Sequence, residues 1–410
     1  MTETKPLGLF ERIGVEIEYM IVDRSTLAVR PITDKVIWSV AGEYLNEVER
    51  GVISWSNELV LHVIELKTTN PVPSTAGLTT AFQKSVAEIN ALLAPLDACL
   101  MPTAMHPWMD PFREMVLWPH DANEIYDAFN RIFNCQGHGW SNLQSAHLNL
   151  PFANDEEFAR LHAAIRLVLP ILPALAASSP VVEGRRTGLM DNRLEAYRTN
   201  SQRIPSITGR VIPEPVFSMA GYQKLILQRM FADIAPYDPE GVLQYEWLNA
   251  RGAIARFERN TIEIRVLDTQ ECPEADLAII EVIIALLKAL TEERWVSLDE
   301  QKACTVESLE TIFLQTVEDA DAAVIHDPAY LRVCGLPETK ACTAGELWRD
   351  LAKRLFAHNG ISPALTRVLE HGSLARRIVE ALNNEGSNDR MNAVYGELCA
   401  CLAEGKMFLA

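Results

Sequence analysis

The chain has 410 residues and a mass of 45.8 kDa, enough for two or three domains or for one large catalytic domain with an extension. Hydrophobic residues make up 48% and charged residues 22%, the balance of a soluble globular protein and not of a disordered one. Fifty-five Asp and Glu against 37 Lys and Arg leave a net charge of −18, which argues against nucleic acid or an anionic membrane as partner, because both reward a basic surface.

Met1–Phe10 has charges and a proline but no apolar run, so no secretory signal is expected. Ile13–Tyr19 alternates as a half-buried strand, with Glu16 and Glu18 on one face and Val15 and Ile17 on the other. Leu61–Lys67 repeats the pattern with Glu65 and Lys67 together, and His62 on the opposite face. Leu78, Phe82, Val86, Ile89 and Leu93 recur at helical spacing, with Ser74 or Thr75 as candidate cap. His106, His120 and His138 lie in a loop-rich stretch with Trp108, Trp118 and Trp140, a cluster that either covers a site or packs, with packing the preferred reading. Ser145–Leu150 is a third alternating strand, carrying His147 and Asn149. Phe158, Leu161, Ile165, Val168 and Leu172 form a second helical stripe.

The segment Glu183–Val216 is rich in Arg, Pro, Gly and Thr and has little periodicity, a composition expected of a functional loop. Thr261–Val266 is the fourth strand, with Glu263 and Arg265 sharing a face. Pro273 opens a helix that is apolar nearly all round. Its stretch Leu277–Leu290 is too short to span a bilayer and carries Glu281 and Lys288. Beyond it, helices are expected near 306–320, 344–358, 363–371, 373–384 and 388–403, with Gly360, Gly372 and Gly386 as stops. Two units follow: an α+β catalytic body over 1–295 and a helical region over 296–410. The eight cysteines form no C-x-x-C pair, so reduced, non-catalytic thiols and a cytoplasmic location are expected.

Two carboxylates ~7 Å apart on one strand face repel each other and call for solvent or a cation. The same oddity recurs at Glu65, His147 and Glu263, with Glu58 seven residues before Glu65. Five carboxylates, one imidazole and no thiolate make a hard donor set suited to Mg²⁺ or Mn²⁺, and more ligands than one ion can use imply two or three ions. No Walker or Rossmann glycine loop is present, so phosphates would be held by metal and by basic side chains. Lys67, Arg265 and Arg185, Arg186, Arg193 and Arg198 are the pool.

Together, Gly14-Val-Glu16-Ile-Glu18-Tyr, Glu65-Leu-Lys67, Ser-Ala-His147-Leu-Asn149 and Thr-Ile-Glu263-Ile-Arg265-Val-Leu-Asp268 resemble the glutamate–cysteine ligase family. The likeness is to the branch that joins bacterial carboxylate–amine ligases with plant-type enzymes. Ser178–Gly188, Arg193 and Thr208-Gly209 resemble its substrate loop, with Asp191-Asn-Arg193 where that branch often has Ser-x-Arg. The resemblance implies a glutamine-synthetase-like fold, an antiparallel sheet forming a funnel for ATP and divalent metals with helices packed outside. It implies Glu16, His147 and Glu263 on one metal and Glu18, Glu58 and Glu65 on another. Arg265, with Lys67, would face the nucleotide's phosphates and the transferring phosphoryl group. Arg193 would hold the amino-acid carboxylate, with Arg185 and Asn149 near the substrate. The implied activity is ATP-dependent formation of γ-glutamylcysteine from glutamate and cysteine, or the same chemistry on another amine, with a homo-oligomer as a further option. A metal-dependent phosphohydrolase and a non-catalytic relative of the fold are the rivals.

Overall fold

A computed structural model describes residues 6–383 and 387–409. The expected helix stop at Gly386 lies outside them. Among the described residues, ten strands up to Asp268 and eleven principal helices organise the fold, and a small antiparallel pair, Val324–Ile325 with Cys342–Thr343, interrupts the otherwise helical C-terminal region. The strands are β1 (Gly14–Asp23), β2 (Glu47–Arg50), β3 (Ile53–Asn57), β4 (Val63–Thr68), β5 (Ala98–Met101), β6 (Ser145–Pro151), β7 (Val181–Val182), β8 (Arg185–Arg186), β9 (Ala253–Arg256) and β10 (Thr261–Asp268). The helices are α1 (Thr33–Ala41), α2 (Leu78–Leu93), α3 (Asn123–Phe133), α4 (Asp155–Val168), α5 (Asn192–Tyr197) and α6 (Pro273–Thr291). After them come α7 (Val306–Asp319), α8 (Ala344–Leu355), α9 (Pro363–His371), α10 (Leu374–Ala381) and α11 (Asn388–Glu404).

The fold is α+β, built on one eight-stranded antiparallel sheet in the order β2-β3-β4-β1-β6-β10-β9, with β5 paired to the distal half of β1. The hairpin β2–β3, the β3–β4 pair and β9–β10 are local, whereas β1 is central and waits for partners far along the chain. Alternation along β1 decides the layers. Val15, Ile17, Tyr19 and Ile21 enter the main core with Phe82, Val86 and Ile89 of α2, and with α4 and α6. The opposite face begins with Glu16 and Glu18 and continues as Met20 and Val22, which pack under Leu374 and Ile378 of α10 and Val394, Tyr395 and Leu398 of α11. The C-terminal helices therefore cover the apolar half of the face whose other half is acidic.

α6 is buried nearly all round, as its composition requires. α2 departs from expectation at its start. Gly77, at φ 81°, stands at the N-cap, while the Thr75 hydroxyl donates to Glu281 at 2.6 Å instead of capping. The stretch 183–216 is not featureless: β8 turns back in a tight hairpin onto β7 just before it, and α5 follows with Asp191 as its side-chain cap. The helical region is stitched to the end of α4: Thr316 and Trp348 donate to the carbonyls of Pro170 and Ile171 at 2.6 and 2.7 Å. At its tail, Arg377 bonds both the Glu271 carboxylate and the Phe408 carbonyl in a buried site.

Candidate active site

Four strands aim their polar alternate residues at one cavity of about 1250 Å³. Register explains the grouping: Glu16 lies opposite Lys67 on one side and His147 on the other, Glu18 opposite Glu65, Ser56 opposite Glu65, and Glu263 opposite Asn149. Directly opposed side chains on one face are within contact range. Glu58 joins from just beyond β3. Glu16, Glu65 and His147 bring ligand atoms within 4.8 Å of one another, and so do Glu18, Glu58 and Glu65. Glu65 belongs to both groups.

Four of the five carboxylates are held by named partners. His147 Nδ1 lies 3.0 Å from Glu16, and the Asn149 amide donates to the other Glu16 oxygen at 3.0 Å. The Ser145 backbone N–H donates to Glu18 at 2.7 Å, and the Ser145 hydroxyl sits 2.9 Å from His147 Nε2. Ser56 donates to Glu65 at 2.7 Å, while Lys67 bridges Glu65 at 3.1 Å and Glu47 at 2.9 Å. Arg265 places Nε and Nη2 on one Glu263 oxygen at 2.9 and 2.8 Å.

The charges do not share equally. Burial, then the neighbouring Glu16, pushes the Glu65 carboxyl up to about 7. Burial opposes ionisation of Glu16 too, but the His147 hydrogen bond and the charges of His147 and Lys67 outweigh it and bring Glu16 down to about 2. Burial and the charges of Glu18 and Glu65 raise Glu58 well above the carboxylate range. Burial would lower His147, yet its bond to Glu16 and the surrounding glutamates raise it. A floor in which buried carboxyls retain protons and an imidazole gains one is short of positive charge. Hard oxygen donors with one imidazole, in two three-ligand groups, fit a divalent cation of the Mg²⁺ or Mn²⁺ type.

Glu263 lies 3.9 Å from His147 Nδ1 and is bracketed by Arg265 and Arg256, outside both three-ligand groups. Arg193 departs furthest from its expected role. It adjoins the cavity, but its guanidinium is buried and donates to Asp268 at 2.7 Å and to the carbonyls of Arg265 and Leu267 at 2.9 and 3.0 Å. Those partners occupy the fork that was expected to grip a substrate carboxylate. Arg185 is on exposed β8, paired with Glu183, and does not line the cavity. His62 is fully buried away from the site, and burial lowers it to about 3.

Aromatic residues, all but Trp140 unremarked in the sequence, complete the walls. Tyr126 and Phe129 of α3, Trp140, Tyr197 of α5 and Trp247 form an aromatic roof, with Phe129 5.2 Å from Trp140 and 5.9 Å from Trp247 between ring centroids. The Tyr126 hydroxyl accepts from Asn57 at 3.0 Å, next to Glu58. Trp140 thus belongs to the cavity, whereas Trp118 packs inside, its indole N–H on Asn46. The clue to α3 was its strong two-faced pattern, with Tyr126, Phe129 and Phe133 at helical spacing. Among the described residues no cysteine lines the cavity.

Among solved structures, a glutamate–cysteine ligase from Francisella tularensis in complex with AMP superposes with a TM-score of 0.60 at 12% identity, covering 96% of this chain and 89% of that one. It shares the fold. An uncharacterized protein of Archaeoglobus fulgidus is 38% identical over 282 residues, 68% of this chain and 75% of its own. A Nocardioides protein named "Putative glutamate--cysteine ligase 2-1" is 27% identical over 179 residues, 43% of this chain and 42% of its own length. The family model for glutamate-cysteine ligase family 2 matches residues 12–393. The chain belongs to that family.

Proposed function

We propose that the protein is an ATP-dependent carboxylate–amine ligase that phosphorylates the side-chain carboxylate of glutamate and transfers the acyl group to an amine, cysteine in its narrow form. The observation that carries the reading is a single cavity in which two acidic groups sharing Glu65 sit beside Lys67, Arg265 and Arg256, under an aromatic roof. Glu16, Glu65 and His147, with Glu18 and Glu58, would hold divalent cations, which would neutralise the phosphate oxygens when bound.

The chemistry then asks little covalent work of the protein. A carboxylate resists an amine because oxide is a poor leaving group. Transfer of the terminal phosphoryl group makes an acyl phosphate and ADP, and the amine displaces phosphate. Arg265, fixed by Glu263, and Lys67, fixed by Glu47 and Glu65, would stabilise charge at the transferring group. Ser145 and Asn149 lock the orientation of the ligand carboxylates. The roof would exclude water, which matters because hydrolysis of the acyl phosphate wastes ATP. Among the described residues no thiol lines the cavity, and the proposed route needs no protein nucleophile.

The test is phosphate release by the purified protein with Mg²⁺, ATP and glutamate against a panel of amines, cysteine first. Glutamate-dependent ADP–ATP isotope exchange supports the acyl-phosphate route. Release that depends on cysteine selects the narrow form, and release with other amines alone selects a broader ligase. Phosphate release indifferent to both glutamate and amine would replace the reading by a phosphohydrolase.

A further inference from the structure

The turn between β9 and β10 carries polar groups that the ligand clusters do not use. Arg256, the last residue of β9, is the cross-strand partner of Thr261, the first of β10. Both line the cavity, as do Arg259 and Asn260 between them. Arg256 is 9% exposed. Its Nε–H and the Thr261 hydroxyl are sealed from solvent and have no hydrogen-bond partner among the described residues. Buried donors are rarely left empty, and each that is calls for a reason. The remaining guanidinium contacts are weakly committed. Nη2 donates at 2.7 Å to Glu258, whose side chain is 54% exposed, so that pair is screened and easily given up. Nη1 lies 3.5 Å from Glu263, which already accepts two N–H groups of Arg265.

We infer that Arg256 and Thr261 form an oxyanion-binding subsite at the β9 edge of the cavity, one that grips a carboxylate or phosphate group of a substrate. A guanidinium and a hydroxyl on directly opposed residues of paired strands are donors of the kind that hold such groups. Two substrates could bring the oxyanion, and assigning which one rests on the ligase reading. The amino acid needs a cation for its carboxylate, since Arg193 is spent on Asp268. The nucleotide needs one for its phosphate chain.

Isothermal titration of the full chain with Mg²⁺ separates these. L-glutamate, ADP and inorganic phosphate are titrated into wild type, Arg256→Gln, Arg256→Lys and Thr261→Val. The expected result is a Kd raised about tenfold in Arg256→Gln for one ligand, partial recovery in Arg256→Lys, and a smaller loss for the same ligand in Thr261→Val. The other ligand's affinity and the melting temperature should not move. A loss confined to glutamate assigns the carboxylate, and a loss for ADP or phosphate assigns the phosphate chain. Thr261→Val removes only a hydroxyl, so it decides the matter if Arg256→Gln fails to fold. Unchanged affinities for all three ligands, or no binding of any to the wild type, overturn the subsite. Binding of inorganic phosphate that Arg256→Gln abolishes would uphold it even if the wild type ignored glutamate and ADP, an outcome that counts against the ligase reading alone.

Discussion

Replacing Arg193 by methionine tests whether that residue serves the fold or the substrate. Its side chain is 2% exposed and that of Asp268 is 0% exposed, so the variant would strand a carboxylate among Ser178, Ser179 and the second buried acid, Asp191. Breaking one side of a buried pair costs about 3–5 kcal/mol. Unfolding entropy of about 2.1 cal/mol/K per residue, over a chain of this length, gives roughly 0.9 kcal/mol/K, so the midpoint should fall by about 4–6 °C. Arg193→Met with Asp268→Asn should recover a good part of that loss, because the stranded charge is gone. The assay is thermal unfolding of the four corners of this cycle, with glutamate KM measured in parallel. A midpoint unchanged in Arg193→Met with a glutamate KM raised tenfold or more would refute the structural role and return Arg193 to the substrate.

Metal removal should abolish ATP turnover, with Mg²⁺ or Mn²⁺ restoring it and Zn²⁺ a poor substitute; full activity in EDTA would contradict the acidic groups' role. Glu65→Gln should be the most damaging single carboxamide, since Glu65 serves both groups, and calorimetry should find both Mg²⁺ binding events weakened. Mg²⁺ affinity should climb as pH rises through about 7, because a Glu65 proton must leave first, and the raised Glu58 and His147 add to the climb. The sign of apo stability follows from the same proton: a carboxyl raised in the folded state contributes stability present below its unfolded value and lost as pH rises through about 7, with Glu16, lowered to about 2, acting in the opposite direction. Chelated protein should therefore gain more in melting temperature from Mg²⁺ at pH 8 than at pH 5, and an equal gain would count against a shared proton. Cys399→Ser and Cys401→Ser, both on α11 and outside the cavity, should leave turnover intact, as steady-state kinetics would show.

Much of this site is legible in the sequence because a strand's period of two is easy to read. Glu16 with Glu18, Glu65 with Lys67, His147 with Asn149 and Glu263 with Arg265 each break an apolar alternation on one face, and the sheet simply sets those faces side by side. Partition among the ligands is not legible, because it depends on cross-strand register. Glu65 reaches two groups through its place opposite Glu18, while Glu263 is captured by arginines. The arginines are the instructive failure. Spacing says nothing about which buried acid Arg193 meets, since Asp268 lies 75 positions away. Tyr126, Phe129 and Trp247 read as ordinary apolar positions, and only tertiary placement brings them over the floor. Gly77 replaced Ser74 or Thr75 at the start of α2 because Thr75 had a partner, Glu281, 206 positions away.

The docking of the tail bears on how the chain matures on the ribosome. β1 emerges first, yet the Thr269 hydroxyl reaches the Glu18 carbonyl across 251 positions and Gln83 reaches Leu402 across 319. At about 5–20 residues per second, the nascent protein waits roughly 20–80 s between making its acidic strand and making the residues that cover its far half. Closures over such distances are slow and come late. Glu271 is satisfied late, by Arg377 and by the Phe408 backbone N–H. Until α10 and α11 have been made and docked, the apolar half of β1 has no cover beside its glutamates.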